Sequence, residues 1–303
     1  MKSLVVGLGF GQLYKGVLER MGHQVITVDT NPATNPDFVE LEQAIQSHAP
    51  FDTVHICVPN HLHYKTAMQV AEHTKIVFVE KPGVESVEHW RMLTNLNKST
   101  RFMMTKNNMW RENINDIVES CEASDLIQIN WVNRNRIPGP GTWFTEKAKA
   151  FGGVSRDLLP HLLSIMVSAN KNNYKDFKNQ KYRLEQRWNI SDCTGTDYGV
   201  VNQNGVYDVD DSAVMELTDG AKTYILYANW KSNLMDDVAV HFYRNGESHL
   251  KSIQLGLCPE KAYENMIRDC LIHLGDDMFW NNQLEQDLYI QEKINEESTH
   301  IIH

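Results

Sequence analysis

Three sets of residues in this chain have the types and spacing for chemistry. The first is Glu80-Lys81-Pro82, which closes the apolar run Ile76-Val77-Phe78-Val79. The run reads as a buried strand, and it must turn at Pro82, because proline cannot continue a central strand. In a parallel sheet such an end faces a crevice where ligands bind. Lys81 offers a cation there and Glu80 an anion. The second set is Asp157 and His161, preceded by Gly152-Gly153. Residues four apart share one face of a helix. Pro160 is tolerated only near a helix start, so the pair is expected at the N-terminus of a helix over 155–168. Imidazole titrates near neutral pH without much tuning, which suits it to moving a proton. The third set is Gly7-Leu8-Gly9-Phe10-Gly11, followed by Asp29.

The elements that position the third set can be read directly. Leu4-Val5-Val6 is a short strand. Leu13, Val17, Leu18 and Met21 recur at helical spacing, Gly22 ends that helix, and Val25-Ile26-Thr27-Val28 is the next strand. Strand, glycine turn, helix, strand and acid, with the acid about 20 residues beyond the second glycine, is the order that a dinucleotide fold requires. Gly7 permits the tight turn, and Gly9 lets backbone approach a pyrophosphate on the helix N-terminus. Asp29 can accept from ribose hydroxyls and would repel a 2′-phosphate, which favours NAD over NADP. The third glycine of the motif should fall at position 12, which is Gln12; Gly11 lies one place early.

The alternation continues with a helix over 36–47, a strand over 53–58, and Asn60 as the N-cap of a helix over 61–73. The strand into Glu80 follows, then a helix over 86–98 and a strand over 101–105. Strands separated by helices in this way build a doubly wound parallel sheet of α/β class. His61 and His63 are two apart, on different faces of a helix, with no third ligand close in sequence, so no metal site is expected. A place for one of them near a cofactor is the better reading.

The chain has 303 residues and a formal net charge of −10. That length suggests two domains, taken as 1–120 for a cofactor and 121–303 for a substrate and for oligomerisation. The acidic balance argues against nucleic acid and anionic membranes as partners. No window approaches the roughly 18 apolar residues of a membrane span, and the N-terminus makes a poor signal peptide. The 5 cysteines are widely spaced and form no CxxC. They read as free thiols in a reducing compartment, which points to the cytoplasm.

A helix over 111–121 is expected to join the domains. From about 126 the pattern turns to strands: Ile127, Ile129 and Trp131 alternate with Gln128, Asn130 and Val132. The turn-rich loop 134–143 carries Arg134, Arg136 and Trp143, and reads either as a lining for a polar substrate or as a rigid surface loop. Beyond 180, Tyr182, Leu184 and Trp188 suggest a strand. Asn204-Gly205, Asp219-Gly220 and Asn245-Gly246 are hairpin signals and argue for an antiparallel sheet. One face of that sheet must pack on the helix over 155–168. The other could meet a second copy, or its aromatic residues could be ordinary core. Helices over 259–274 and 283–298 close the chain.

In four stretches the chain resembles the Gfo/Idh/MocA (glucose-fructose oxidoreductase/inositol dehydrogenase/rhizopine catabolism) family. They are Gly7-Leu8-Gly9-Phe10-Gly11, Val58-Pro59-Asn60-His61-Leu62-His63-Tyr64, Val77-Phe78-Val79-Glu80-Lys81-Pro82, and Gly152-Gly153-Val154-Ser155-Arg156-Asp157-Leu158-Leu159-Pro160-His161. The resemblance implies an N-terminal Rossmann domain and a C-terminal α+β domain with a large, open, mainly antiparallel sheet. It implies NAD(P)-dependent oxidation or reduction at a hydroxyl or ketone of a sugar, cyclitol or nucleotide sugar, with Lys81, Asp157 and His161 as the catalytic group. The cofactor set would be Gly7, Gly9, Phe10, Gly11, Asp29, Pro59, Asn60, His63, Glu80 and Lys81. The substrate set would be Arg136, Trp143 and His161. Gly83 departs from the family, which usually has an aliphatic residue there. The proton-transfer role stays open between Lys81 and His161. Two other readings fit the same residues: a non-catalytic cofactor-binding regulator, and an NAD-dependent glycoside hydrolase.

Overall fold

The computed structural model describes residues 1–303 except 97–98, 195–197, 199, 245–247, 257–258, 298–299 and 303. The chain divides into two compact units. One is Met1–Trp110 with Pro259–Gln291; the other is Arg111–Cys258 with Glu292–His303.

The first unit opens with β1 (Lys2–Val6), α1 (Leu8–Arg20), β2 (Gln24–Val28), α2 (Leu41–His48) and β3 (Phe51–Ile56). It continues with α3 (His63–Val70), β4 (Thr74–Val79), α4 (Val87–Leu96) and β5 (Arg101–Met104). The strands form one sheet in the order β2-β1-β3-β4-β5, and every pairing is parallel. The chain leaves β1 for β2 on one side and returns to β3 on the other. The switch point therefore lies at the carboxyl ends of β1 and β3, where such sheets bind ligands.

Two expectations are corrected here. The helix expected over 36–47 begins at Leu41, because the residues before it join the sheet edge. Phe38 forms a parallel bridge to Val28, and the Asp37 carboxylate accepts from the Thr27 amide at 2.9 Å and its hydroxyl at 2.7 Å. The helix expected over 61–73 is preceded by a short 3-10 turn, Asn60–Leu62, whose cap is Pro59. Asn60 lies inside that turn and is not an N-cap.

The second unit contains α5 (Ile114–Glu122), β6 (Leu126–Val132), α6 (Lys147–Ala150), α7 (Val154–Asp157), α8 (Leu159–Ala169) and β7 (Lys178–Glu185). The strands β8 (Ser212–Thr218), β9 (Thr223–Asn229), β10 (Asp237–Arg244) and β11 (Ser248–Gln254) follow. After it come α9 (Glu260–Ile272), α10 (Asp277–Asn295) and β12 (His300–Ile302). Seven strands lie in the order β11-β10-β6-β9-β8-β7-β12. β6 pairs with β9 in parallel, and so does β12 with β7, while the remaining ladders are antiparallel.

Ile127, Ile129, Tyr224, Leu226, Ala213 and Met215 are all fully buried and line one sheet face. α8 packs there: Asn170, just past its end, donates to the Tyr224 hydroxyl at 2.9 Å. The residues between them in sequence, including Val214, Glu216, Ile225 and Tyr227, are half-buried on the other face.

Of the three hairpin signals, Asp219-Gly220 joins β8 to β9 as expected. Asn204-Gly205 does not join strands. It lies in a loop whose Asn202 amide donates to the Pro140 carbonyl at 3.0 Å, so the turn is used to dock one loop on another. Asn245-Gly246 lies outside the described residues.

The sheet's helices also differ from expectation. Helix 155–168 is broken at Leu158 into α7 and α8, with Pro160 in the first turn of α8. The last helix starts at Asp277, not at 283. The expected boundary at 120/121 falls inside α5. The segment 259–291 returns to the first unit because Tyr263, Met266, Ile267, Cys270 and Trp280 complete the core formed by Val5, Leu8, Tyr14, Val17, Leu18, Phe78 and Met103.

Candidate functional site

In the first unit the glycine turn sits at the end of β1. Gly7 has φ of 91°, and a Cβ on it would lie 2.6 Å from the Cys57 carbonyl oxygen. Only glycine fits there. A Cβ on Gly9 would meet nothing within 4 Å, so the space above it is open for a ligand. Gly11 takes the packing duty of the motif's third glycine. Its added Cβ would lie 2.8 Å from Val5 Cγ1, which ties α1 closely to β1 although Gln12 occupies the expected position.

The amides of Gly9 and Phe10 fall in the first turn of α1, where no intrahelical acceptor exists, and can meet a pyrophosphate. The Phe10 side chain is 45% exposed and packs edge-on against Tyr14 and Tyr263. At the end of β2, Asp29 accepts from the Leu8 amide at 2.6 Å and from the Asn31 amide at 2.8 Å. Each carboxylate oxygen keeps a lone pair for a ribose hydroxyl. Residues 29–40 contain Asp29, Asp37 and Glu40 but neither lysine nor arginine. These residues fit a dinucleotide.

The end of β4 is built more tightly. Glu80 is buried. Tyr14 donates to its Oε1 at 2.6 Å and lies 3.0 Å from the Thr105 hydroxyl. Burial raises the Glu80 pKa, with the charge of Lys81 opposing the shift. The Gly83 amide donates to the Glu80 carbonyl at 2.9 Å, so residues 80–83 form a β-turn with the half-buried Lys81 at its first corner. The Lys81–Pro82 peptide is cis.

His63 is 1% exposed. Its ring nitrogens lie 2.6 Å from the Gly83 carbonyl oxygen and 2.9 Å from that of Val58. Burial pulls its pKa down to about 4, against the effect of the two carbonyls. The neutral ring donates to one of them. His63 thus links the Pro59 loop to the Lys81 turn through backbone.

In the second unit, Asp157 ends α7 and His161 lies in the first turn of α8. The Trp230 indole N–H, at the end of β9, donates to Asp157 Oδ2 at 2.8 Å. The Trp131 ring, near the end of β6, stacks on His161 with centroids 5.3 Å apart and planes at 28°. The two residues are thus held from the ends of the adjacent parallel strands β6 and β9.

Asp210 fixes the start of this segment. It accepts from the amides of Gly153 at 3.0 Å and Ser155 at 2.7 Å. A Cβ on Gly153 would fall 1.7 Å from the Asp210 carbonyl oxygen. Arg136 is anchored beside the pair by its amide, which donates to the Trp230 carbonyl at 2.8 Å; its side chain is exposed and 3.8 Å from Asp236. Trp143 is half-buried and stacks on Phe144 at 4.0 Å.

Sequence reasoning missed Tyr14, Thr105, Trp131, Trp230 and Asp210. Trp131 was visible on an alternating strand, and Trp230 ends another. Asp210 gives no local signal, since its partners lie 55 and 57 residues away.

Residues 2–107 match the model of the GFO_IDH_MocA oxidoreductase family, described as an NAD-binding Rossmann fold. The N-terminal domain belongs to this family. It is an NAD-binding Rossmann domain, as the glycine turn and Asp29 indicate. A putative UDP-kanosamine synthase oxidoreductase subunit from Amycolatopsis mediterranei is 26% identical over 183 residues, 55% of this chain and 51% of that protein. The chain thus spans about half the length of that curated relative.

Two solved structures share the whole fold. Levoglucosan dehydrogenase in complex with NADH and levoglucosan superposes with a TM-score of 0.73 at 14% identity, covering 97% of this chain and 96% of that one. A 3-ketoreductase from Actinomadura kijaniata, in complex with TDP-benzene and NADP, gives 0.70 at 14% identity, covering 96% and 95%. Among the described residues no helix is long and apolar enough to cross a membrane. The described cysteines, Cys57, Cys121, Cys193 and Cys270, are free.

Proposed function

We propose that this Gfo/Idh/MocA-type protein is an NAD(H)-dependent oxidoreductase that moves a hydride between nicotinamide and a secondary alcohol or ketone of a sugar, cyclitol or nucleotide sugar. The observation that carries the reading is the Lys81 turn at the end of β4. A half-buried cation is held at the ligand-binding end of a sheet whose glycine turn fits a dinucleotide.

Bound NAD would supply the hydride acceptor. The chain's own residues must then manage the proton and the charge. His161 takes the hydroxyl proton as general base, a role worth roughly 10²–10⁴-fold in rate. Lys81 stabilises the negative charge that develops on the substrate oxygen. Asp157, held by Trp230, orients a partner hydroxyl or the imidazole. Arg136 and Trp143 are the candidates for contacts to the rest of the substrate. The acidic stretch 29–40 supports NAD over NADP, because a 2′-phosphate would find carboxylates and no cation there. The half-buried outer face of the seven-stranded sheet supports a homo-oligomer formed through it.

The test is a panel of polyols, sugars and nucleotide sugars with NAD and with NADP, followed by absorbance of the reduced cofactor. Net reduction of NAD by at least one compound is expected. Binding of NADH with no net turnover on any compound would favour a regulator or a hydrolase that regenerates its cofactor.

A further inference from the structure

The turn that carries Lys81 has three polar handles besides the lysine itself. Tyr14 holds the Glu80 carboxylate, and His63 faces the Gly83 carbonyl. The third handle is the Pro82 carbonyl, immediately after Lys81. It accepts from Nε2 of Gln291, a fully buried residue near the end of α10. The same side chain lies against Gly83. With φ of 84°, a Cβ there would lie 3.1 Å from Gln291 Nε2 and 3.2 Å from Met104 Sδ. A side chain at 83 would press on both of these side-chain ends, on a backbone whose φ already favours glycine.

Gln291 is itself held in register from one helical turn earlier. Asp287, on the same face of α10, is fully buried. It accepts from the Met104 amide at 3.0 Å and forms an ion pair with the buried Lys106. One side of α10 therefore grips the end of β5 through Asp287 and the Lys81 turn through Gln291.

We infer that Gln291 is a positioning residue for Lys81, with Asp287 as the anchor that sets its height on the sheet. The inference rests on the reading of Lys81 as part of the reacting group. A contact made only for stability would look different. Gln291 Oε1 is buried and has no hydrogen-bond partner among the described residues, so the amide carries an unsatisfied acceptor that methionine would remove. What glutamine supplies and methionine lacks is the N–H that fixes Pro82.

The decisive variant is Gln291→Met, which keeps length and volume. Lys81 reactivity is read by trace labelling with acetic anhydride in the presence of NADH, against the exposed Lys65 in the same sample. Turnover is read on whichever panel compound the wild type oxidises. Misplacing a catalytic group by about 1 Å costs on the order of a hundredfold, so kcat should fall about tenfold or more while KM for NAD stays within about twofold. The Lys81-to-Lys65 labelling ratio should shift at least about threefold for the same reason, with Tm held within about 4 °C.

An unchanged labelling ratio in folded Gln291→Met overturns the inference. Should that variant fail to fold, Gln291→Ala is labelled in its place and judged by the same ratio. Lys81→Met run in parallel separates the two claims. A shifted ratio in Gln291→Met beside undiminished turnover in Lys81→Met would keep the brace and remove the catalytic role of Lys81.

Discussion

The Lys81 turn and the Asp157–His161 segment are mounted differently. Around Lys81, hydrogen bonds to the backbone and side chain of residues 80–83 come from α1, α3 and α10, and the turn is nearly saturated with partners. Around Asp157 and His161 the helix is broken at Leu158; the Trp230 indole donates to Asp157, the Trp131 ring stacks on His161, and Asp210 holds the start of the segment. A group that supplies only charge gains from a rigid mount, since its electrostatic effect is largest when no reorganisation is needed. The His161 imidazole, in contrast, is guided by the face of the Trp131 ring. Under the proposed function Lys81 supplies charge and His161 moves the proton, a division that the following variants test.

The largest expected effects test that contrast. His161→Ala and Lys81→Ala should each lower turnover by at least about a hundredfold, while NADH binding to His161→Ala, followed by fluorescence, stays near wild type. A pH–rate profile for Lys81→Ala should keep the wild-type limb near neutrality, and loss of that limb would give the proton to Lys81.

Next come the glycines, which separate packing from ligand binding. Gly153→Ala puts a Cβ against the Asp210 backbone and should cost about 1–3 kcal/mol of stability by overpacking, read by denaturant unfolding. Gly9→Ala meets open space, so stability should stay within about 0.5 kcal/mol while NADH affinity drops. Equal losses of stability in both would break the distinction.

The smallest effect is acid sensitivity in the first unit. Burial lowers the His55 pKa to about 3 and the His63 pKa to about 4, and His23 is lowered as well. The unfolded chain takes up protons on these rings below about pH 6.5 while the folded state does not. Their contribution is therefore neutral above that pH and turns against folding as pH falls towards 4, by about 1.4 kcal/mol per pH unit per ring once the unfolded ring is protonated. Asp287, raised to about 6 mainly by burial, and Glu80, also raised, act in the other direction. His55 lies in β3 and His23 is hydrogen-bonded to Ser3 of β1, so the loss falls on those two strands. In the second unit Asp211 is raised to about 6 by burial and gains relative stability on acidification. Hydrogen exchange, corrected for intrinsic rates, should show β1 and β3 losing protection between pH 7 and 5 more than β8 and β9.

The two regions also differ in how far the sequence revealed them. The strand, glycine turn, helix and Asp29 were legible because each rests on neighbours a few residues away. So were Lys81 at a strand end and the Asp219-Gly220 hairpin. The role of Gly11 was hidden because its partner, the Val5 side chain, is defined by packing and not by motif spacing. The helix expected from 36 lost its first turn to the bridge between Phe38 and Val28. Asn204-Gly205 has the composition of a hairpin, yet its loop docks on Pro140. The return of 259–291 to the first unit, and with it Gln291 beside Pro82, depends on contacts 209 residues apart, which no local pattern carries.

The central claim, that this chain passes a hydride to or from a sugar-like carbon, is tested most directly by isotope transfer. A panel alcohol deuterated at the reacting carbon is incubated with NAD and the wild-type protein, and the nicotinamide is examined by mass spectrometry. The account predicts one deuterium on the reduced cofactor, lost together with turnover in His161→Ala. Product formed without deuterium on the cofactor would contradict it.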